Sequence, residues 1–151
     1  MDIKDFTIKN QKSEDVTLSQ ELEKHHVLLY FYPKDMTPGC ALEGIGFSNL
    51  EKEFASVGVK VFGVSADSVE KHQKFCQKES LGIDLLSDED KRVCEMFGVW
   101  KEKNMFGKKY MGISRESFLL KKGSKFEVIK HWKTVKPATH PEQVLAYVQA
   151  L

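Results

Sequence analysis

Val27-Leu28-Leu29-Tyr30-Phe31-Tyr32 is an unbroken apolar run that stops at Pro33. Six consecutive apolar residues bounded by a breaker mark a strand buried on both faces, the kind found in sheets covered by helices on each side. Pro33 removes a backbone donor and fixes the chain as it leaves the strand. The next residues, Lys34-Asp35-Met36-Thr37-Pro38-Gly39-Cys40, lead into a helical pattern. Phe47, Leu50, Phe54 and Val57 recur at spacings of three, four and three, and Gly58 stands where a C-terminal cap belongs. The spacing predicts one helix from about Pro38 to Val57.

The elements outward of this stretch follow the same alternation. Val59–Val64 reads as a second interior strand. Asp67 with Glu70 predicts a capping box opening a helix to about Ser80, and Ser87 with Asp90 a weaker one before a helix to about Phe97. Short strands are expected at Phe6–Lys9 and Val16–Leu18, around the polar turn Asn10-Gln11-Lys12-Ser13. Strand patterns return at Tyr110–Ile113, Ser117–Lys121 and Val128–Trp132, the last two joined as a hairpin through Lys122-Gly123-Ser124. A final helix opens at Pro141 and carries Val144, Val148 and Leu151 on one face. Strand–helix–strand–helix followed by a hairpin and a helix predicts an α/β fold, a central mixed sheet flanked by helices in thioredoxin-like order. No repeat, linker or low-complexity tract divides the chain, so residues 1–151 are expected to form a single domain.

Composition narrows the function classes. The formal net charge of +1 argues against a general nucleic-acid binder. It hides an asymmetry: residues 1–99 hold 12 Lys/Arg against 18 Asp/Glu, and residues 100–151 hold 11 against 4. Lys101, Lys103, Lys108 and Lys109, with Trp100 and Phe106 among them, read as a solvated loop. No apolar run approaches the ~18 residues of a membrane span. Met1-Asp2-Ile3-Lys4-Asp5 has neither a basic n-region nor an apolar core, so a soluble, cytoplasmic protein is expected, without nucleic-acid or membrane partners. A monomer is expected, with a dimer as the alternative. Three cysteines, Cys40, Cys76 and Cys94, do not make a secreted disulfide framework, and no C-x-x-C pair is present. The histidines His25, His26, His72, His131 and His140 show no metal-ligand spacing and are expected at the surface or at caps. Neither a metal nor a cofactor is expected.

The chemistry concentrates at Cys40. A free thiol is only about 3% ionised at pH 7, whereas one shifted to about pH 6 by a helix start or a nearby cation is about 90% thiolate. Cys40 stands at a predicted helix start, where unpaired N–H groups favour an anion. Arg115 is the candidate cation, because a guanidinium stays charged and offers several donors. Thr37, one turn earlier, offers a hydroxyl that donates and accepts, and it also suits an N-cap. Glu43 falls in the first helical turn, where a carboxylate is favoured by the helix dipole.

Pro33-x-x-x-Thr37-x-x-Cys40 resembles the active-site signature of the peroxiredoxins. The string Tyr30–Cys40, with Gly63-Val64-Ser65-Ala66-Asp67-Ser68, Leu85-Leu86-Ser87-Asp88 and Tyr110-Met111-Gly112-Ile113 leading to Arg115, resembles their bacterioferritin-comigratory, or Q-type, branch. The resemblance implies a thioredoxin-like fold and thiol-dependent reduction of hydrogen peroxide and organic hydroperoxides. It implies Cys40 as peroxidatic nucleophile, Thr37 and Arg115 as peroxide-orienting groups, Pro33 as shield, and a thioredoxin-type dithiol as reductant. Many Q-type members carry a second cysteine five residues after the first; Ile45 stands there in this chain. Cys76, on the predicted helix after Asp67, is then the candidate resolving cysteine, as in other Q-type members. Cys94 lies on a core-facing stripe and reads as core filler. A Cys40–Cys76 disulfide would join two helices and implies that one or both unwind in each cycle. A one-cysteine peroxidase served by an external thiol, and a non-enzymatic peroxide sensor, remain the alternatives at this stage.

Overall fold

The computed structural model describes residues 1–151. Its elements in chain order are β1 (Thr7–Lys9), β2 (Asp15–Thr17), α1 (Leu18–Lys24), β3 (His26–Phe31), α2 (Pro38–Asn49), α3 (Glu51–Ser56), β4 (Val59–Ser65), α4 (Val69–Glu79), β5 (Asp84–Ser87), α5 (Arg92–Met96), β6 (Trp100–Met105), β7 (Lys108–Ile113), β8 (Glu116–Leu120), β9 (Val128–Trp132) and α6 (His140–Gln149).

Five strands form a mixed sheet in the order β5-β4-β3-β8-β9, in which β3, β4 and β5 are parallel, β8 is antiparallel to β3, and β9 is antiparallel to β8. Both faces are covered, which explains why the Val27–Tyr32 run does not alternate with polar residues. Val27, Leu29 and Phe31 point into one apolar cluster with Leu18 and Leu22 of α1 and Val93 of α5. Leu28, Tyr30 and Tyr32 point into a second, with Phe47 of α2, Phe54 of α3, Phe75 of α4 and Val144 of α6. The thioredoxin-like α/β architecture expected from the pattern is present, and β8 and β9 pair as the predicted hairpin. No helix is long and apolar enough to cross a membrane.

Several local expectations are corrected. The chain between Pro38 and Val57 is not one helix. Leu50 leaves helical geometry (φ −103°, ψ 8°), and its N–H bonds to the Phe47 carbonyl, which tightens the chain into α3. The N-cap of α4 is Ser68, whose hydroxyl accepts from the Lys71 N–H at 3.2 Å; the Asp67 carboxylate is buried in other bonds. At α5 the carboxylate that takes the free N–H groups of Val93 and Cys94 is Asp88, rather than a Ser87–Asp90 box. Leu18 begins α1 instead of ending a strand. Residues 100–105 are strand, paired with β7 in a separate hairpin, because the ladder satisfies a backbone whose side chains between Trp100 and Met105 are polar. Leu151 lies beyond α6 and is 64% exposed. His72 and His140, expected at the surface, are fully buried.

Parallel order places the carboxyl ends of β3 and β4 side by side, at the point where the connections diverge. Ligand sites of α/β sheets form there, and there the Pro33–Cys40 loop begins.

Candidate active site

Cys40 is the third residue of α2, after Pro38 and Gly39, and only 1% of its surface is exposed. The first N–H groups of a helix have no intrahelical acceptor, and that of Cys40 makes no hydrogen bond in the protein. The sulfur therefore stands at the positive end of a twelve-residue helix with an uncommitted donor beside it.

Arg115, in the bend between β7 and β8, reaches across to this point. Its Nη2–H donates to Cys40 Sγ at 3.2 Å and its Nη1–H to Glu43 Oε1 at 2.7 Å. One planar guanidinium thus spans the cysteine and a carboxylate one helical turn further on. Burial opposes the charge on Arg115, and Glu43 and Cys40 more than offset it, so its pKa lies above the ordinary arginine value. Glu43 is fully buried, and its Oε2 has no partner. Burial raises its pKa to about 7 in spite of Arg115, which acts in the opposite sense.

Thr37 occupies the N-cap position of α2, yet its side chain makes no capping bond. Its hydroxyl donates to the Lys34 carbonyl at 2.9 Å, which leaves the oxygen lone pairs to accept from a bound O–H group. Pro33 is exposed on the wall of a groove of about 370 Å³ that also involves Ala66, Trp100, Lys103, Met111 and Ile113. Lys103 of β6 donates to the Ile113 carbonyl. Burial and then Arg115 lower its pKa, while Cys40 acts to raise it.

The other two cysteines differ. Cys76, on α4, is half-buried and packs against the apolar cluster that contains Cys40. It opens onto a cleft with Gln11, Lys12, Gln73 and Leu81, and burial, with Asp35 and Asp84, pushes its thiol up to about 11. The Tyr30 hydroxyl, buried without a partner, has its pKa raised by burial and then by Glu43, Cys40 and Cys76. Cys94 is fully buried in the opposite cluster, as its stripe suggested, and burial and Asp88 raise its pKa.

A second set of buried polar groups lies beside the loop and was not expected. Asp35 Oδ2 meets His72 Nδ1 at 2.6 Å, Tyr32 Oη donates to Asp35 Oδ1 at 2.6 Å, and the Asp35 N–H donates to Asp67 Oδ2 at 2.8 Å. Ligand atoms of Asp35, Asp67 and His72 lie within 4.8 Å of one another, but each is engaged by protein donors or acceptors, including Ser65 and Leu86. The set reads as a hydrogen-bond network rather than a metal centre. The only sequence signal for it is that Asp35 and Asp67 fall inside the motifs quoted above.

Residues 1–129 match the AhpC/TSA family. The chain belongs to that family. Among its relatives, peroxiredoxin Bcp of Xanthomonas campestris is 47% identical over 126 residues, covering 83% of this chain and 78% of the relative. Peroxiredoxin Bcp of Escherichia coli K12 is 42% identical over 144 residues, covering 95% and 90%. Membership therefore extends to the Bcp, or Q-type, peroxiredoxins. A solved structure of the Xanthomonas campestris bacterioferritin comigratory protein, described for its alkyl peroxide reduction activity, superposes with a TM-score of 0.88 at 41% identity, covering 96% of this chain and 90% of that one. Structures of the Xanthomonas peroxiredoxin Q include serine variants at each of two cysteines 36 positions apart.

Proposed function

We propose that this peroxiredoxin reduces hydrogen peroxide and organic hydroperoxides at Cys40, that Cys76 resolves the oxidised cysteine, and that a thioredoxin-type dithiol returns the enzyme to its reduced state. The observation that carries the reading is the forked Arg115, with one nitrogen on Cys40 Sγ and the other fixed by buried Glu43. Thr37 accepts from the peroxide O–H, and Arg115 and the Cys40 N–H donate to its oxygens, which holds the O–O bond in line with the sulfur. The thiolate attacks one oxygen, the O–O bond breaks, and the same donors stabilise the alkoxide or hydroxide that leaves and is protonated. Cys40 becomes a sulfenic acid. Pro33, which leads from β3 into the Cys40 loop, is assigned the role of shielding the sulfur from water.

The Cys76 thiol then condenses with Cys40–SOH, forming the disulfide and releasing one water. The spacing supports this partner: Cys40 and Cys76 are 36 positions apart, as are the two cysteines substituted in the Xanthomonas structures. In the reduced fold both are free thiols on different helices, and a disulfide needs Cα atoms about 4.4–6.8 Å apart. The raised pKa of Cys76 also makes it a poor nucleophile until it is released from burial. Unwinding at the start of α2, in α4, or in both supplies that release. Residues 1–151 act as one domain and as a monomer, a reading supported by Cys40, Glu43, Arg115 and Cys76 all coming from one chain.

The test is one equivalent of hydrogen peroxide followed by disulfide mapping by mass spectrometry, in wild type, Cys76→Ser and Cys94→Ser. A Cys40–Cys76 bond that is lost only in Cys76→Ser is the expected result. A Cys40–Cys94 bond overturns the assignment, and a stable sulfenic acid in wild type points to an external thiol.

A further inference from the structure

The buried network around Asp35 spans the same two segments as the disulfide. Asp35 lies five residues before Cys40, and His72 lies four residues, one helical turn, before Cys76. The Asp35–His72 bond closes over 37 positions and the disulfide over 36. We propose that Asp35 and His72 are positioning residues of the catalytic cycle: their buried pair latches the Cys40 loop to α4 in the peroxide-reacting geometry, and opening it is part of the barrier to Cys40–Cys76 disulfide formation. The inference rests on Cys76 being the resolving cysteine.

The donor count makes this bond strong. The Leu86 carbonyl only accepts, so His72 Nε2, 2.9 Å away, must donate to it. The 2.6 Å contact between Nδ1 and Asp35 Oδ2 then holds a further proton between imidazole and carboxylate. Tyr32 Oη closes the other carboxylate oxygen at 2.6 Å. His72, Asp35, Tyr32, Asp67 and Ser65 are all buried, so water does not compete for the bonds among them.

The latch also shapes the loop. The Asp35 N–H is tied to Asp67 Oδ2, and Ser65 Oγ donates to the same oxygen at 2.7 Å, so the loop is fixed to the end of β4 as well as to α4. Met36, next in the chain, has φ +65°, a left-handed conformation that a non-glycine residue keeps only when its surroundings hold it. Thr37 and Cys40 follow directly. The same bonds that hold Thr37 and Cys40 in place for peroxide therefore oppose the separation of loop from helix that resolution requires. Two demands, a rigid site for the first step and a released loop for the second, meet at one pair of side chains.

Rapid-quench mass spectrometry on the full chain separates the steps, following sulfenic acid, disulfide and sulfinic acid at Cys40 in wild type, Asp35→Asn and Tyr32→Phe. Asp35→Asn keeps the shape and removes the charge; Tyr32→Phe keeps the ring and removes one bond. In Asp35→Asn the disulfide is expected to form about tenfold faster, the change that loss of one charge-assisted hydrogen bond brings. The sulfinic fraction at high peroxide falls, and sulfenic acid forms no faster than in wild type. Tyr32→Phe moves the same rates in the same directions by less, and it decides the matter if Asp35→Asn does not fold. A purely structural network would slow both steps together or leave both unchanged, and either outcome overturns the latch. Absence of a Cys40–Cys76 disulfide in wild type removes the resolving assignment and the latch with it. Its presence without acceleration in the variants removes the latch alone.

Discussion

Replacing Glu43 by glutamine probes the electrostatics of the site with little change of shape. Glu43 is fully buried, bonded by Arg115 at one oxygen and unpartnered at the other. Burial, only partly countered by Arg115, raises its pKa from 4.5 to about 7. Between those two values the folded protein holds a proton that the unfolded chain has lost, so stability falls as the pH rises. The contribution is fully present below pH 4.5 and is lost as the pH passes through 7. From pH 5 to pH 8 the loss is on the order of 2–3 kcal/mol. Glutamine accepts the same Arg115 hydrogen bond but does not titrate. Any pH-independent cost of the substitution, such as burying its amide, cancels when two pH values are compared. Urea unfolding of reduced protein, followed through Trp100 and Trp132 fluorescence, gives the quantity directly. The Glu43→Gln variant is expected to gain on the order of 2–3 kcal/mol on wild type between pH 5 and pH 8. A stability difference constant to within about 0.5 kcal/mol over that range refutes the reasoning, since Glu43 would then titrate alike in both states.

Three further outcomes follow from the geometry. Arg115→Lys keeps a positive charge, but one ammonium cannot reproduce the fork to Cys40 Sγ and Glu43 Oε1; kcat/KM for peroxide falls roughly 10²–10³-fold, and a value within threefold of wild type in competition kinetics would show that charge alone suffices. A Cβ at Gly63 would lie 2.7 Å from Leu85 Cδ2 and 2.7 Å from Tyr30 Cζ, so Gly63→Ala lowers urea stability by about 1–3 kcal/mol, and an unchanged midpoint and slope would contradict that packing. Phe106, 99% exposed at the tip of the β6–β7 hairpin, is replaceable by serine with less than about 0.5 kcal/mol change in stability; a larger loss on the same assay would mean that the ring packs in solution.

The interior strands were the most legible part of the chain. Val27–Tyr32 is apolar throughout, and Val59–Val64 is apolar except at the partly exposed Lys60, because each lies in a sheet covered on both faces, and that requirement acts locally on every interior residue. The β8–β9 hairpin was legible for a related reason, since its turn residues sit between two short strand patterns. The helix ends were less so. Asp67 looks like an N-cap by spacing, but the adjacent Ser68 can serve, and the tertiary fold draws Asp67 to the Asp35 backbone instead. The break at Leu50 and the strand at Trp100–Met105 left no periodic trace: one is a single backbone adjustment, the other a polar hairpin held by its ladder.

For the site, the sequence by itself determined a cysteine at a helix start with Thr37 one turn before it, because both follow from local chain geometry. It also singled out Arg115 through resemblance, without showing what the side chain touches. Only the tertiary structure decided that Arg115 divides its fork between Cys40 and Glu43, that Glu43 is sealed from water, and that His72 leaves the surface to meet Asp35. Each of these joins residues 37 to 75 positions apart. No local pattern encodes such a meeting. It arises when parallel strands bring their carboxyl ends together and burial turns ordinary polar side chains into obligatory partners.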